Sequence, residues 1–74
     1  MNNIKYIYMT VGERLKELRI EKNISQMQLS LATGLSQSAI ARWELGKSEP
    51  TASALIILSK YFGESADYLL GLED

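Results

Sequence analysis

The sequence predicts an all-α fold in which five short helices pack as one compact domain. Three observations predict it. From Thr10 onward the chain repeats one grammar, a hydroxyl residue able to cap a helix, then an apolar stripe, then Gly or Asn. Apolar and polar residues nowhere alternate over a stretch long enough to require a sheet. The expected helices are joined by links of only two to six residues, the length that connects neighbours in a tight bundle.

Residues 1–9, MNNIKYIYM, carry no helical stripe and include the strand-like Tyr6, Ile7 and Tyr8, so they read as an N-terminal extension of a domain covering residues 10–72. Thr10 caps the first helix, whose Val11, Leu15 and Leu18 share one face and which Asn23 ends. Ser25 caps the second, with Gln28 placed to complete a capping box, and Gly34 stops it after Thr33. The third runs from its cap Ser36 to Glu44 or Leu45, with Gly46 as a left-handed terminator. Pro50 and Thr51 open the fourth, which buries Leu55, Leu58 and Phe62 and stops at Gly63. Ser65 caps a short fifth helix over residues 66–70, before Gly71. The expected core is Val11, Leu15, Leu18, Ile24, Leu29, Leu35, Ile40, Trp43, Leu55, Leu58, Phe62 and Leu69. The mixed charges of the first helix read as a solvated face, Arg19 excepted on grounds given below.

Composition narrows the chemistry. The 74 residues include no cysteine and no histidine, so disulfides, thiolate metal sites and the commonest general base are all missing. No carboxylate pair stands out for acid–base work, so an enzyme, a metal site and a cofactor are not expected. No apolar run approaches membrane-spanning length and no secretion signal is evident, which makes the cytoplasm the default location. The net charge of −1 hides an asymmetry: residues 1–47 carry seven basic and four acidic side chains, net +3, whereas residues 48–74 carry one and five, net −4. Only the first part suits a phosphate backbone.

The informative stretch is residues 26–43, QMQLSLATGLSQSAIARW, part of a helix, turn and helix over residues 26–45. Leu29 must face the core, Ser30 must be small where the second helix crosses it, and Gly34 must turn with positive φ. At about 100° per residue, Ile40 and Trp43 lie about 60° apart and pin the second helix inward. Ser38, Ala41, Arg42 and Leu45 are left outward, with Gln37 at the exposed N-terminal end.

With GERLKELRIEKNISQMQLS, GLSQSAIARWELGKSEP and SADYLLG in this order and spacing, the chain from Gly12 to about Leu70 resembles the Cro/C1-type (XRE) helix-turn-helix family of phage repressors and bacterial regulators. The resemblance implies a five-helix, lambda-repressor-like DNA-binding domain whose third helix enters the major groove. It implies a cytoplasmic transcriptional repressor, working as a homodimer on a palindromic operator in double-stranded DNA. Gln37, Ser38 and Arg42 match base-reading positions, where Gln can pair with adenine N6 and N7 and Arg with guanine O6 and N7, while Ala41 is small enough to meet a thymine methyl. Gln26 matches a phosphate-binding position at a helix N-terminus; Ser25, Ser36 and Lys47 flank it or the recognition helix as further backbone contacts. Arg19 and Glu44 match a family ion pair, with the guanidinium edge also expected near a phosphate. Tyr68, Leu69, Leu70 and Leu72 are read both as core closure and as a dimer seam.

The sequence departs from the family at Ser30, usually Ala, and at Met27, Leu31 and Ile57, usually polar. Those three apolars are expected to be exposed, and they support an alternative reading on the same fold, a protein-interaction or antitoxin-like module.

Overall fold

The computed structural model describes residues 9–73; of the expected extension, residues 1–8 lie outside the described residues. Five helices follow in order, α1 (Val11–Glu21), α2 (Gln26–Thr33), α3 (Gln37–Glu44), α4 (Ala52–Phe62) and α5 (Ala66–Leu70). No strand forms among the described residues.

Every helix starts at the hydroxyl residue that the sequence marks. Thr10, Ser25, Ser36, Thr51 and Ser65 each have extended backbone and accept a hydrogen bond from the amide three residues on. Each such cap contributes about 1 kcal/mol. The capping box at Ser25 and Gln28 forms, and a second one joins Thr10 to Glu13, which the sequence reading did not foresee. At the other ends, Asn23 takes a positive φ of 62° after α1, and Gly46, with φ 76°, closes α3.

Two of the connections are built alike. In SLATGLS (residues 30–36) and SKYFGES (residues 59–65), a serine in the last turn of one helix donates its hydroxyl across the turn, to the carbonyls of Leu35 and Glu64. A left-handed glycine then turns the chain, Gly34 with φ 80° and Gly63 with φ 69°, and the final serine caps the next helix. Without a Cβ, glycine takes this backbone at no steric cost, so the same seven-residue device joins α2 to α3 and α4 to α5.

The core is Leu15, Leu18, Leu29, Ile40, Trp43, Ala54, Leu58 and Leu69, with Val11, Ile24, Leu35, Ala39, Leu55, Tyr61, Phe62 and Tyr68 packed partly exposed against it. The α4 stripe thus centres on Ala54 and Leu58, one position earlier than the expected Leu55. Leu58, expected inward, is fully buried, and the expected Leu55 and Phe62 pack part-exposed against the core. Helix α1 packs on α3 and α5, α2 packs on α3 and α4, and α5 closes against α4.

Two further α1 residues set how the helices meet. A Cβ built on Gly12 would stand 1.7 Å from the carbonyl oxygen of Trp43, so the absence of a side chain lets α1 touch the backbone of α3. Arg14, expected on a solvated face, is only 3% exposed: its guanidinium donates to the Met9 carbonyl at 2.8 Å and lies under Gly71. It ties the start of the described chain to its end.

Candidate nucleic-acid interface

Helix α3 divides into two faces. Ile40 is fully buried and Trp43 is 7% exposed, so both point into the domain. Gln37, Ser38 and Arg42 are exposed and Ala41 is half-buried, so the four expected base-reading residues share the surface that Ile40 and Trp43 leave outward. Leu45, at 69% exposure, continues this strip at the C-cap. An amide, a hydroxyl and a guanidinium on a rigid rod, separated by a small apolar residue, match the donor and acceptor pattern of base edges in a major groove.

The flanks carry the residues expected to contact phosphate. The Ser25 and Ser36 hydroxyls accept the amide protons of Gln28 and Ala39, a use of lone pairs that does not consume the O–H donor. Exposed Lys47 is fixed next to the end of α3, because its amide donates to the Arg42 carbonyl at 2.9 Å. The turn itself is wired by side chains: beyond the Ser30 bond, the Thr33 hydroxyl donates to the Leu29 carbonyl at 2.7 Å and accepts from the Leu35 amide at 3.2 Å.

Arg19 and Glu44 meet as a bidentate pair, Nε to Oε2 at 2.8 Å and the second terminal nitrogen to Oε1 at 2.9 Å. The other terminal nitrogen donates to the Ile24 carbonyl at 2.8 Å. Hydrogen bonding to Glu44, with the attraction of its charge and against the cost of burial, raises the guanidinium pKa above its already high ordinary value. With all three nitrogens engaged and the side chain 12% exposed, Arg19 is given to the architecture, and the phosphate contact expected of it is left little surface.

Gln26 holds a place that the sequence did not indicate. Its side-chain amide donates to Glu44 Oε1 at 3.0 Å, so one carboxylate, with a side chain only 3% exposed, gathers the end of α1, the start of α2 and the last residue of α3. No hydropathy or motif signal marks this third partner; only the fold brings residues 26 and 44 together.

The expected dimer seam needs a correction at one position. Leu69 is fully buried in the core, so its side chain has no surface to offer another chain. Tyr68 is half-buried, and Leu70 and Leu72 are 48% and 72% exposed. Leu70 lines an open groove of about 280 Å³ with Met9, Val11, Pro50 and Leu55. Met27, Leu31 and Ile57 are 49%, 77% and 38% exposed.

A capped helix, a left-handed turn and a second helix locked across the first, with a polar face projecting outward, define a helix-turn-helix protein. A helix-turn-helix family model matches residues 15–69, and the chain belongs to the Cro/C1-type (XRE) branch of that family. Among curated proteins, the HTH-type transcriptional regulator DicA of Escherichia coli is 42% identical over 69 residues, covering 89% of this chain and 50% of its own length. The HTH-type transcriptional activator BcrR of Enterococcus faecalis is 39% identical over 66 residues, 89% of this chain and 32% of its own length. Repressor protein C2 of Salmonella phage P22 is 40% identical over 60 residues, 81% of this chain and 28% of its own length. The chain therefore spans half or less of each of these three relatives. A crystal structure of the P22 c2 repressor in complex with a synthetic operator superposes with a TM-score of 0.79 at 39% identity, over 84% of this chain and 94% of that one. The family is a DNA-binding regulator fold and not a class of enzymes.

Proposed function

We propose that this chain is a sequence-specific DNA-binding transcriptional regulator, acting as a repressor, that reads double-stranded DNA through the major groove with α3. The observation that carries it is the outward face of α3, Gln37, Ser38, Ala41 and Arg42, held by inward Ile40 and Trp43 in a fold shared at 39% identity with a repressor bound to operator. Gln37 and Arg42 make bidentate contacts with base edges, Ser38 donates or accepts, and Ala41 lets the helix sit deep. The first turn of α2 presents main-chain N–H groups to a phosphate, where the helix dipole favours an anion; Ser25, Ser36 and Lys47 extend that contact along the backbone. Two copies sit about one helical turn apart on a palindromic operator, joined through Tyr68, Leu70 and Leu72. Repression requires only occupancy, and the function uses neither a catalytic group nor a cofactor. The cytoplasm is the compartment in which it acts; no helix among the described residues is long and apolar enough to cross a membrane.

Selection of bound duplexes from a random pool tests this reading. A palindromic consensus is expected, and recovery of no preferred sequence sinks it. The exposure of Met27, Leu31 and Ile57 favours a second reading, a protein-interaction module. That reading predicts capture of a stoichiometric protein partner, with DNA affinity indifferent to changes at Gln37 and Arg42.

A further inference from the structure

We infer that Arg14 is a positioning residue for the pairing of two copies of this chain, its buried guanidinium fixing where Leu70 and Leu72 stand against the body of the domain. The inference rests on the proposed seam through those leucines and deepens it by naming the group that holds the seam from inside. Arg14 is 3% exposed, so it touches no partner itself. One terminal nitrogen donates to the Met9 carbonyl at 2.8 Å. Its central carbon and both terminal nitrogens all stand 3.4 Å from the point that a Cβ on Gly71 would occupy. Equal distances to three coplanar atoms of this kind arise only when the plane lies broadside to that point. Met9 and Leu70 line the same groove, and Gly71 follows Leu70, so one rigid plane reaches both walls.

The turn that ends α5 has bonds of its own. With Gly71 left-handed at φ 80°, its amide donates to the Tyr68 carbonyl at 3.1 Å, and the Leu72 amide donates to that of Asp67 at 2.8 Å. These bonds are internal to a five-residue helix and its cap. They shape the turn, but they do not fix it against α1. Arg14, the fourth residue of α1, supplies that reference, and its flat face needs a residue without a side chain above it. A two-fold seam uses the same residues on both copies, so a shift of this turn displaces both halves of the contact at once. The exposed leucines on either side of Gly71 therefore meet a second copy in register only while the guanidinium lies beneath the glycine.

Arg14→Met keeps an unbranched stem in the buried site and removes the plane and its donors. Sedimentation equilibrium of the full chain without DNA reads the pairing. The dimer dissociation constant should rise about tenfold in Arg14→Met and about as much in Leu72→Ala, with the double variant little worse than either, because a misplaced leucine has little left to lose. Arg14→Lys retains the charge and a donor without the plane and should show the same loss, so the test does not depend on a single variant. Additive losses, or an unchanged constant in both Arg14 variants, would overturn the inference. So would an equal weakening in Ser30→Ala, which loses a hydrogen bond outside the seam, since the effect would then be one of general stability. A wild-type chain that stays monomeric would instead defeat the seam, and the pairing role with it. Amide exchange keeps the two failures apart: relative to the Leu29 amide at the start of α2, that of Leu72 should exchange about tenfold faster in Arg14→Met. An unchanged ratio overturns the inference whatever the association data give.

Discussion

Gly12 is the residue at which the smallest change has the largest expected effect. A methyl group there would meet a main-chain oxygen at 1.7 Å, and backbone cannot rotate aside as a side chain can. Gly12→Ala should therefore cost about 3 kcal/mol or more despite the better helix propensity of alanine, read as a lower midpoint in chemical denaturation. A midpoint equal to or above that of the wild type would refute the close approach. On the reading face the expectations differ in kind. Arg42→Ala should relax preference at one base pair for about 1 to 3 kcal/mol, whereas Lys47→Ala should weaken all duplexes alike and reduce the slope of log affinity against log salt by about one unit. Equal behaviour of the two variants in a mismatch series would contradict the assignment of one to bases and the other to phosphate. Neither Gly12 nor Arg14 was legible as more than a helix residue in the sequence. A glycine inside a helical pattern is a weak sign of close packing, and a buried arginine looks like any surface charge until its neighbours are known.

Local chemistry decides the elements, which is why their limits were readable while their contacts were not. Each start lies at a hydroxyl and each stop at Gly or Asn, because capping and left-handed backbone depend on residues a few positions away. The outward face of α3 was readable for the same reason, since the phase of Ile40 and Trp43 fixes it. The bond from Gln26 to Glu44 spans eighteen positions, beyond any local pattern, and the one from Arg19, over twenty-five, was expected only through the family resemblance. The twin connections carry a prediction at this scale. Ser30→Ala removes the hydroxyl that bridges the turn to Leu35 in a partly buried site, and should cost about 1 kcal/mol. Ser59→Ala removes the equivalent bond at an exposed turn, where water can replace it, and should cost less. Thermal denaturation of the two variants side by side checks the order, and a larger loss for Ser59→Ala would show that the two turns are not energetically alike.

Across the whole molecule the question is what couples stability and binding to conditions, and charge supplies the answer. The chain has no histidine, so no side chain with an ordinary pKa changes charge between about pH 6 and 8. Among the described residues the shifted group is Arg19, whose folded pKa lies above its unfolded value through the bonds to Glu44. A group shifted in that sense contributes its stability fully below the unfolded pKa and loses it only as pH rises through the folded one, and for a guanidinium both lie far above neutrality. Arg19 therefore adds no slope to stability in the accessible range. Salt acts differently, because on the proposed reading exposed Arg42 and Lys47 meet a polyanion while the net −4 of residues 48–74 repels it, so screening weakens the pull of the reading face. The expected outcome is a melting temperature and an operator affinity that stay level from about pH 6 to pH 8 at fixed ionic strength, with affinity falling steeply as salt is raised. Melting curves and gel shifts across that pH range check it. A titration midpoint inside the range would require a charged group whose environment is not the one seen around Arg19, Gln26 and Glu44.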